Sequence, residues 1–202
     1  MNYRRSPLME QRLKDNRERI LKAARKLVAQ GGFRAASVSA VSKAAGLSTG
    51  AIYRYFPSKS ALMVEILTHA VSHEVDVLRE ITARADSSTD KLAAAVRSFG
   101  TRALEGRNLA YAFIAEPTDP EVEAARIVGR EDFGDVFKDL LHEGIDRGEF
   151  PAQSVDVTAA CIVGAFTEAL VRPVAPTTLP EAAEPDLVEK IVVFCVAAVR
   201  RA

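Results

Sequence analysis

Ala44-Ala45-Gly46-Leu47-Ser48-Thr49-Gly50-Ala51-Ile52-Tyr53-Arg54-Tyr55-Phe56-Pro57-Ser58-Lys59-Ser60-Ala61-Leu62 is the stretch that decides the fold. Gly46 ends a short segment that begins at Val38, for which Ser37 is a good N-cap. Ser48 caps a second segment, Thr49 to Tyr55, and Pro57 ends it. Only Gly46-Leu47-Ser48 separates the two. Two short helices joined by a three-residue turn containing glycine make a helix-turn-helix, here 38–55, the arrangement in which the second helix lies in a DNA major groove. The small residues Ala40, Ala44, Ala45 and Ala51, with Val41, Leu47 and Ile52, let the two helices cross closely. Helical hairpins with glycine turns also occur in bundles that bind nothing, so the surroundings of the motif matter.

Those surroundings are basic. Residues 1–60 hold 13 of the 27 Lys/Arg and 3 of the 27 Asp/Glu, a surplus of ten positive charges, and the remaining 142 residues carry ten net negative charges, so a formal net charge of zero conceals a split. A basic lobe on an acidic body points to a polyanion at one end and a separate task for the rest. Arg4 and Arg5 read instead as part of a solvated arm.

Outward from the motif, apolar spacing is helical nearly everywhere and no stretch alternates with period two, which makes the chain all-α, with about nine helices. A first helix, about 11–30, carries Leu13, Ile20, Ala24, Leu27 and Val28 and stops at Gly31-Gly32. Ser58 caps a long helix to about residue 83, with Leu62, Met63, Ile66, Leu67, Val75, Leu78 and Ile81 on its buried stripe. Helices follow at about 90–105, 108–116 and 120–147. Two more, about 154–171 and 185–201, are apolar over most of their circumference, and the four prolines from Pro173 to Pro185 form the connection between them.

Hydrophobic residues make up 48% and charged residues 27%, enough for a sizeable core and too apolar for disorder. The N-terminus has charges with no apolar stretch after them, and no run of eighteen apolar residues occurs, so the expectation is a cytoplasmic protein with no membrane partner. Cys161 and Cys195 lie in apolar stretches and read as buried free thiols.

The string Ala44–Leu62 strongly resembles the DNA-binding signature of the TetR family of bacterial transcriptional regulators, in which a helix-turn-helix has an aromatic-rich end to its recognition helix, followed by a lysine at the start of the fourth helix and a leucine three residues on. The resemblance runs from about Ile20 to Leu67, and Gly144-Ile145-Asp146-Arg147-Gly148-Glu149-Phe150 looks like the family's usual end to the seventh helix. It implies a DNA-binding domain over 1–60 and an effector-binding and dimerisation domain over 61–202. It also implies a homodimer on a palindromic operator, released by a small-molecule effector.

Each motif residue has its own physical role. Thr49, Gly50 and Ala51 open the recognition helix, where small side chains let the backbone approach base edges and Ala51 can pack on a thymine methyl. Tyr53 and Tyr55 combine an aromatic body with a hydroxyl that reaches phosphate. Lys59, in the first turn of the fourth helix, adds its ammonium to the positive end of the dipole, and Ser37 and Ser39 can hold phosphate at the start of the second. Arg54 reaches base, phosphate or solvent. Ser48 and Ile52 read as cap and core, and Phe56 as core.

In the acidic body, Phe99, Tyr111, Phe113, Phe133, Phe137 and Phe166 form a surplus of aromatics with few polar groups, as small-molecule sites require, and Arg102, Glu116, Glu168 and Arg172 are the expected polar anchors. Ordinary core competes for each aromatic taken singly. Val188, Ile191, Val192, Val193, Phe194, Val196 and Val199 are too many apolar groups for one buried stripe. With Ile162, Ala165, Phe166 and Ala169 of a second subunit they are expected to make a four-helix dimer interface. Glu65, His69 and His73 stand one turn apart on one helix but read as a solvated face, so neither metal nor cofactor is expected. No nucleophile elbow, zinc-protease motif, Walker lysine or dinucleotide loop occurs, and an enzyme is not expected. The competing reading, an all-α binding or carrier protein whose basic hairpin only caps a bundle, has no use for the positive lobe.

Overall fold

The computed structural model describes residues 7–176 and 186–200, and among them nine helices and no strand. In chain order they are α1 (Pro7–Ala35), α2 (Val38–Ala45), α3 (Thr49–Tyr53), α4 (Lys59–Thr82), α5 (Ser88–Glu105), α6 (Arg107–Ile114), α7 (Pro120–Asp146), α8 (Val155–Val174) and α9 (Leu187–Arg200). Local chemistry sets most of the ends. Ser37, Ser48, Ser58 and Ser87 each stand in extended backbone before a helix and accept the N–H of the residue three on, from Ala40, Ala51, Ala61 and Asp90. Gly46, at φ 64°, closes α2 in the left-handed region.

The break expected at Gly31-Gly32 is present, although helical geometry resumes for one turn up to Ala35. Gly32 takes φ 71°, ψ −173°, a conformation that strains any residue with a Cβ, and a Cβ there would also overlap the Glu116 carboxylate. At the other end of the chain, Gly144 is small because the Phe150 ring folds back to where its side chain would be.

Besides α1, which begins at Pro7 rather than near residue 11, two boundaries differ from expectation. The second helix of the motif ends at Tyr53 rather than Tyr55: the N–H groups of Tyr55 and Phe56 both turn to the Ile52 carbonyl, at 2.9 and 3.0 Å, as the chain tightens ahead of Pro57. α8 continues through Pro173 to Val174, because a proline near the last turn forfeits one hydrogen bond and Ala175 N–H still closes on the Val171 carbonyl at 3.0 Å. The rest of the proline-rich connection, 177–185, and Arg4 and Arg5 lie outside the described residues.

Two hydrophobic cores result. The first joins α1, α2 and α3 to the first half of α4, through Ile20, Ala24, Val28, Val41, Ile52, Phe56, Leu62, Met63, Ile66 and Leu67, and it reaches Ala112 of α6 and Val122 of α7. The second packs the second half of α4, through Val75, Leu78 and Ile81, with α5, α7, α8 and α9. α4 therefore belongs to both, and the N-terminal core extends past residue 60. α8 is long and apolar enough to cross a membrane by length and composition, but Ile162, Val163, Phe166 and Leu170 are buried in the second core. Its apolar stretch is wider than its buried stripe. Cys161, expected inside, consequently stands exposed on the outer face, whereas Cys195 is buried.

Candidate DNA interface and effector cavity

The basic lobe presents a surface built by α2, α3 and the start of α4. Ser37, Ser39, Thr49, Gly50, Tyr53 and Arg54 are exposed there, Ala51, Tyr55 and Lys59 are half-buried, and Ile52 and Phe56 are core. A Cβ added at Gly50 would meet nothing within 4 Å, so the first turn of α3 is open to a large partner. Tyr53 is 50% exposed, a solvation cost for an aromatic ring unless something covers it. Among the described residues the side chains of Tyr53, Arg54 and Lys59 have no hydrogen-bond or ion-pair partner, which leaves their polar groups available. Tyr55 differs, because its hydroxyl accepts from Asn16 Nδ2 at 3.2 Å and so braces α3 against α1.

Three α1 residues that sequence reasoning missed hold this surface together. Arg19 Nη2 donates to the Ala45 carbonyl at 2.7 Å, satisfying an orphan acceptor at the end of α2. Arg17 lies 5.2 Å from the Phe56 ring and pairs with Glu65 of α4, and Asn16 holds Tyr55. Basic composition flagged this helix, yet nothing local marks which cations point inward. Glu65 is thus occupied by Arg17, while His69 Nε2 lies 3.6 Å away from it.

In the body, a cavity of about 150 Å³ lies between α4, α5, α6, α7 and α8. Of the expected effector residues, Phe99, Arg102, Phe113 and Phe133 line it. Phe166 and Phe137 do not; they stand behind Phe99 and Phe133 in an aromatic stack, with Phe99–Phe166 centroids 4.8 Å and Phe137–Phe166 centroids 5.7 Å apart. Glu168 is exposed on the outer side of α8, so the interruption of the apolar run is a solvent edge. Tyr111 lines a separate groove beside Gly32, Lys59 and Met63. Glu116 turns the opposite way: its carboxylate accepts the N–H groups of Phe33 at 2.8 Å and Arg34 at 3.2 Å, at the end of α1.

The rest of the cavity wall is mostly apolar, from Leu67, Val71, Ala103, Leu109, Ile114 and Val163, with a polar share that sequence reasoning missed: the guanidinium groups of Arg25, Arg126 and Arg130, and the His73 imidazole. Arg25, His73 and Arg130 are exposed, so they mark the mouth. Arg102 is bound to Glu74 through Nε at 3.1 Å and Nη2 at 2.6 Å. One signal pointed to this wall. Arg126, Gly129, Arg130 and Phe133 repeat at helical spacing on α7, so stepping back two turns from Phe133 reaches the others.

α6 serves two partners. It walls the cavity and is also held to α1, where Asn108 Nδ2 donates to the carbonyls of Ala29 and Gln30 at 3.3 and 2.9 Å and Phe113, itself in the cavity wall, lies 5.9 Å from the Phe33 ring.

At the expected dimer face, Ile162, Phe166, Ile191, Val192 and Val199 are buried within the chain's own core, because α9 packs across α5 and α8. Val188 packs against Gly100 of α5, and Ala165 and Ala169 are half-buried. Phe194 is 62% exposed, beside Val193 at 67% and, on α8, Val157 at 61%. The surplus of apolar groups therefore sits one position around each helix from most of the residues expected.

Residues 20–66 match the family described as "Bacterial regulatory proteins, tetR family", and residues 85–170 match "Tetracyclin repressor-like, C-terminal domain". The chain is 24% identical over 143 residues to the fatty acid metabolism regulator protein of Bacillus subtilis, covering 70% of this chain and 73% of that one. It is 34% identical over 90 residues to the transcriptional repressor KstR of Mycolicibacterium smegmatis, 45% of this chain and 39% of that one. Among solved structures, FadR from Bacillus subtilis in complex with stearoyl-CoA superposes with a TM-score of 0.76 at 20% identity, covering 90% of this chain and 98% of that one. RolR in complex with resorcinol superposes at 0.72 and 21%, covering 94% and 90%.

Proposed function

The chain belongs to the tetR family of bacterial regulatory proteins, and from that premise we propose a cytoplasmic, homodimeric repressor that leaves a palindromic operator when a small, mostly apolar effector enters the cavity. The observation that carries the reading is the double engagement of α6, which walls the cavity and is hydrogen-bonded to the end of α1, directly ahead of the helix-turn-helix. In this reading residues 1–60, with the first half of α4, form the DNA-binding unit and the remainder the effector and dimer unit.

On DNA, Thr49, Gly50 and Ala51 approach base edges, and Tyr53, Arg54 and Lys59, with Ser37 and Ser39, meet phosphates on either side of the groove. Tyr55 contributes as a brace. The two-fold pairing of subunits sets two recognition helices about 34–36 Å apart, one turn of the duplex. Phe99, Phe113 and Phe133 hold the effector's apolar body, with Arg102 and the cations at the mouth for a polar group. The ligands of the two structural neighbours, stearoyl-CoA and resorcinol, both have an apolar body. Release requires that the effector bind the free state better than the DNA-bound one, and a coupling of about 1–3 kcal/mol lowers operator affinity about 5- to 150-fold.

The test is a titration of the protein against the DNA upstream of its own gene and a shuffled control across salt concentrations, repeated with each hit of an apolar-compound thermal-shift screen. A repressor binds its own upstream DNA preferentially with a steep salt dependence and loses affinity on adding a hit. Salt-independent or absent DNA binding would leave the carrier reading.

A further inference from the structure

Arg126 of α7 is 7% exposed and forms part of the cavity wall. A buried guanidinium needs its donors met, and here they are met unevenly. Nη1 donates to Glu123 Oε1 at 2.6 Å, a carboxylate that is itself 45% exposed. Nη2 donates to two backbone carbonyls, Ala112 at 3.0 Å and Glu116 at 2.9 Å, which end α6 and begin the turn into α7. Nε is buried and has no hydrogen-bond partner among the described residues.

Resting on the effector reading above, we propose that Arg126 is the group that recognises the effector, and that the effector is an acyl compound whose carbonyl or carboxylate oxygen meets this guanidinium while its apolar chain runs toward Phe99 and Phe133. The chemistry of the wall selects an acceptor over a donor. Its other cations are Arg25 and Arg130 at the mouth, and Glu74, the wall's carboxylate, is already engaged by Arg102. Gly129, one turn along α7 from Arg126, lets Val71 of α4 pack closely onto the wall, since a Cβ there would stand 3.0 Å from the Val71 side chain.

The same residue carries the consequence of binding to DNA. The carbonyls it holds belong to the end of α6, and Glu116, whose backbone oxygen is one of them, places its carboxylate on Phe33 and Arg34. An acyl oxygen that draws the guanidinium into the cavity releases those carbonyls, and with them the hold of the α6–α7 turn on the end of α1.

Calorimetric titration without DNA isolates the claim from the repressor reading. The probes are decanoate, decanoyl-CoA and 1-decanol, against the parent, Arg126→Met, Arg126→Lys and Glu123→Gln. The parent binds at least one acyl probe about ten- to a hundredfold more tightly than 1-decanol, the worth of a charge-assisted hydrogen bond. Arg126→Met loses that preference while its affinity for 1-decanol changes less than about threefold. Arg126→Lys retains part of it, since a point charge replaces the fork. Glu123→Gln, at a partly exposed site that does not endanger the fold, keeps a neutral acceptor for Nη1 but removes the competing negative charge, and so strengthens acyl binding without affecting the alcohol. Preference for decanoate over decanoyl-CoA identifies a free acid, and the reverse a thioester.

An acyl preference that survives Arg126→Met, an unchanged Glu123→Gln, or a parent that binds none of the acyl probes overturns the proposal. Failure of the parent on operator DNA, with these titrations as expected, would instead overturn the repressor reading alone.

Discussion

Glu116 and Phe33 lie 83 residues apart in the chain, and the carboxylate of the first accepts the backbone N–H of the second at 2.8 Å. The contact exists because Gly32 turns the end of α1 through a left-handed conformation, presenting the N–H groups of Phe33 and Arg34 with no helical partner ahead of them. A side chain from the effector body thus caps the last turn before the DNA-binding motif.

Glu116→Ala leaves two backbone donors without their acceptor and is expected to cost about 1–3 kcal/mol of stability, read by urea denaturation. Glu116→Gln keeps an acceptor and recovers part of the loss. In operator titrations the alanine variant should bind effector as the parent does, but show a smaller ratio of operator affinities without and with effector. An unchanged ratio would remove this contact from the coupling path.

Lys59→Ala deletes a cation that has no partner among the described residues, so operator and shuffled DNA should weaken alike and the salt slope should lose about 1 in magnitude per subunit. Tyr53→Phe removes only a hydroxyl and is expected to lower affinity about three- to tenfold, the net worth of one hydrogen bond. Fluorescence anisotropy over a salt series reads both.

Phe194→Glu places a charge on an exposed apolar face and, if two copies meet there, does so twice. Sedimentation equilibrium should show a monomer with unaltered helix content. Ile191→Ala, at a position 7% exposed within the chain, should instead cost about 2–5 kcal/mol of folding stability. A thiol reagent adds an independent readout. Exposed Cys161 on the adjoining helix should react more slowly as protein concentration rises, whereas Cys195, its pKa pushed up to about 11 by burial, should stay unreactive until unfolding.

Glu143 accepts both oxygens' worth of hydrogen bonding from buried Lys91, at 2.7 and 2.9 Å, and a further bond from Arg147 at 2.8 Å. The Lys91 bond first, then the Arg147 bond, hold its carboxyl below the ordinary value of 4.5. The unfolded chain therefore binds its proton at higher pH than the folded one, so the stability from this group is fully present above 4.5 and is lost as pH falls through the lower folded value. Glu143→Gln should flatten that acid limb in a series of urea melts from pH 6 downward. An equally steep limb in the variant would assign it to other carboxylates.

What the sequence alone determined is what is local. Helix starts at Val38, Thr49 and Lys59 follow from serines that cap their own next turn, the end at Gly46 from a residue that tolerates positive φ, and the all-α class from the spacing of apolar residues. The residues proposed to face DNA come together on one surface for the same reason, since they occupy one short segment, 37–59. Tertiary structure alone decided the rest. Whether Phe133 faces a cavity while Phe166 stands behind it depends on which side of each helix meets its neighbour. A carboxylate such as Glu116 finds its partner across 83 residues, and a charge such as Arg126 is buried because α6 happens to end there. Neither spacing nor propensity along the chain encodes those meetings, which arise when both cores close around α4.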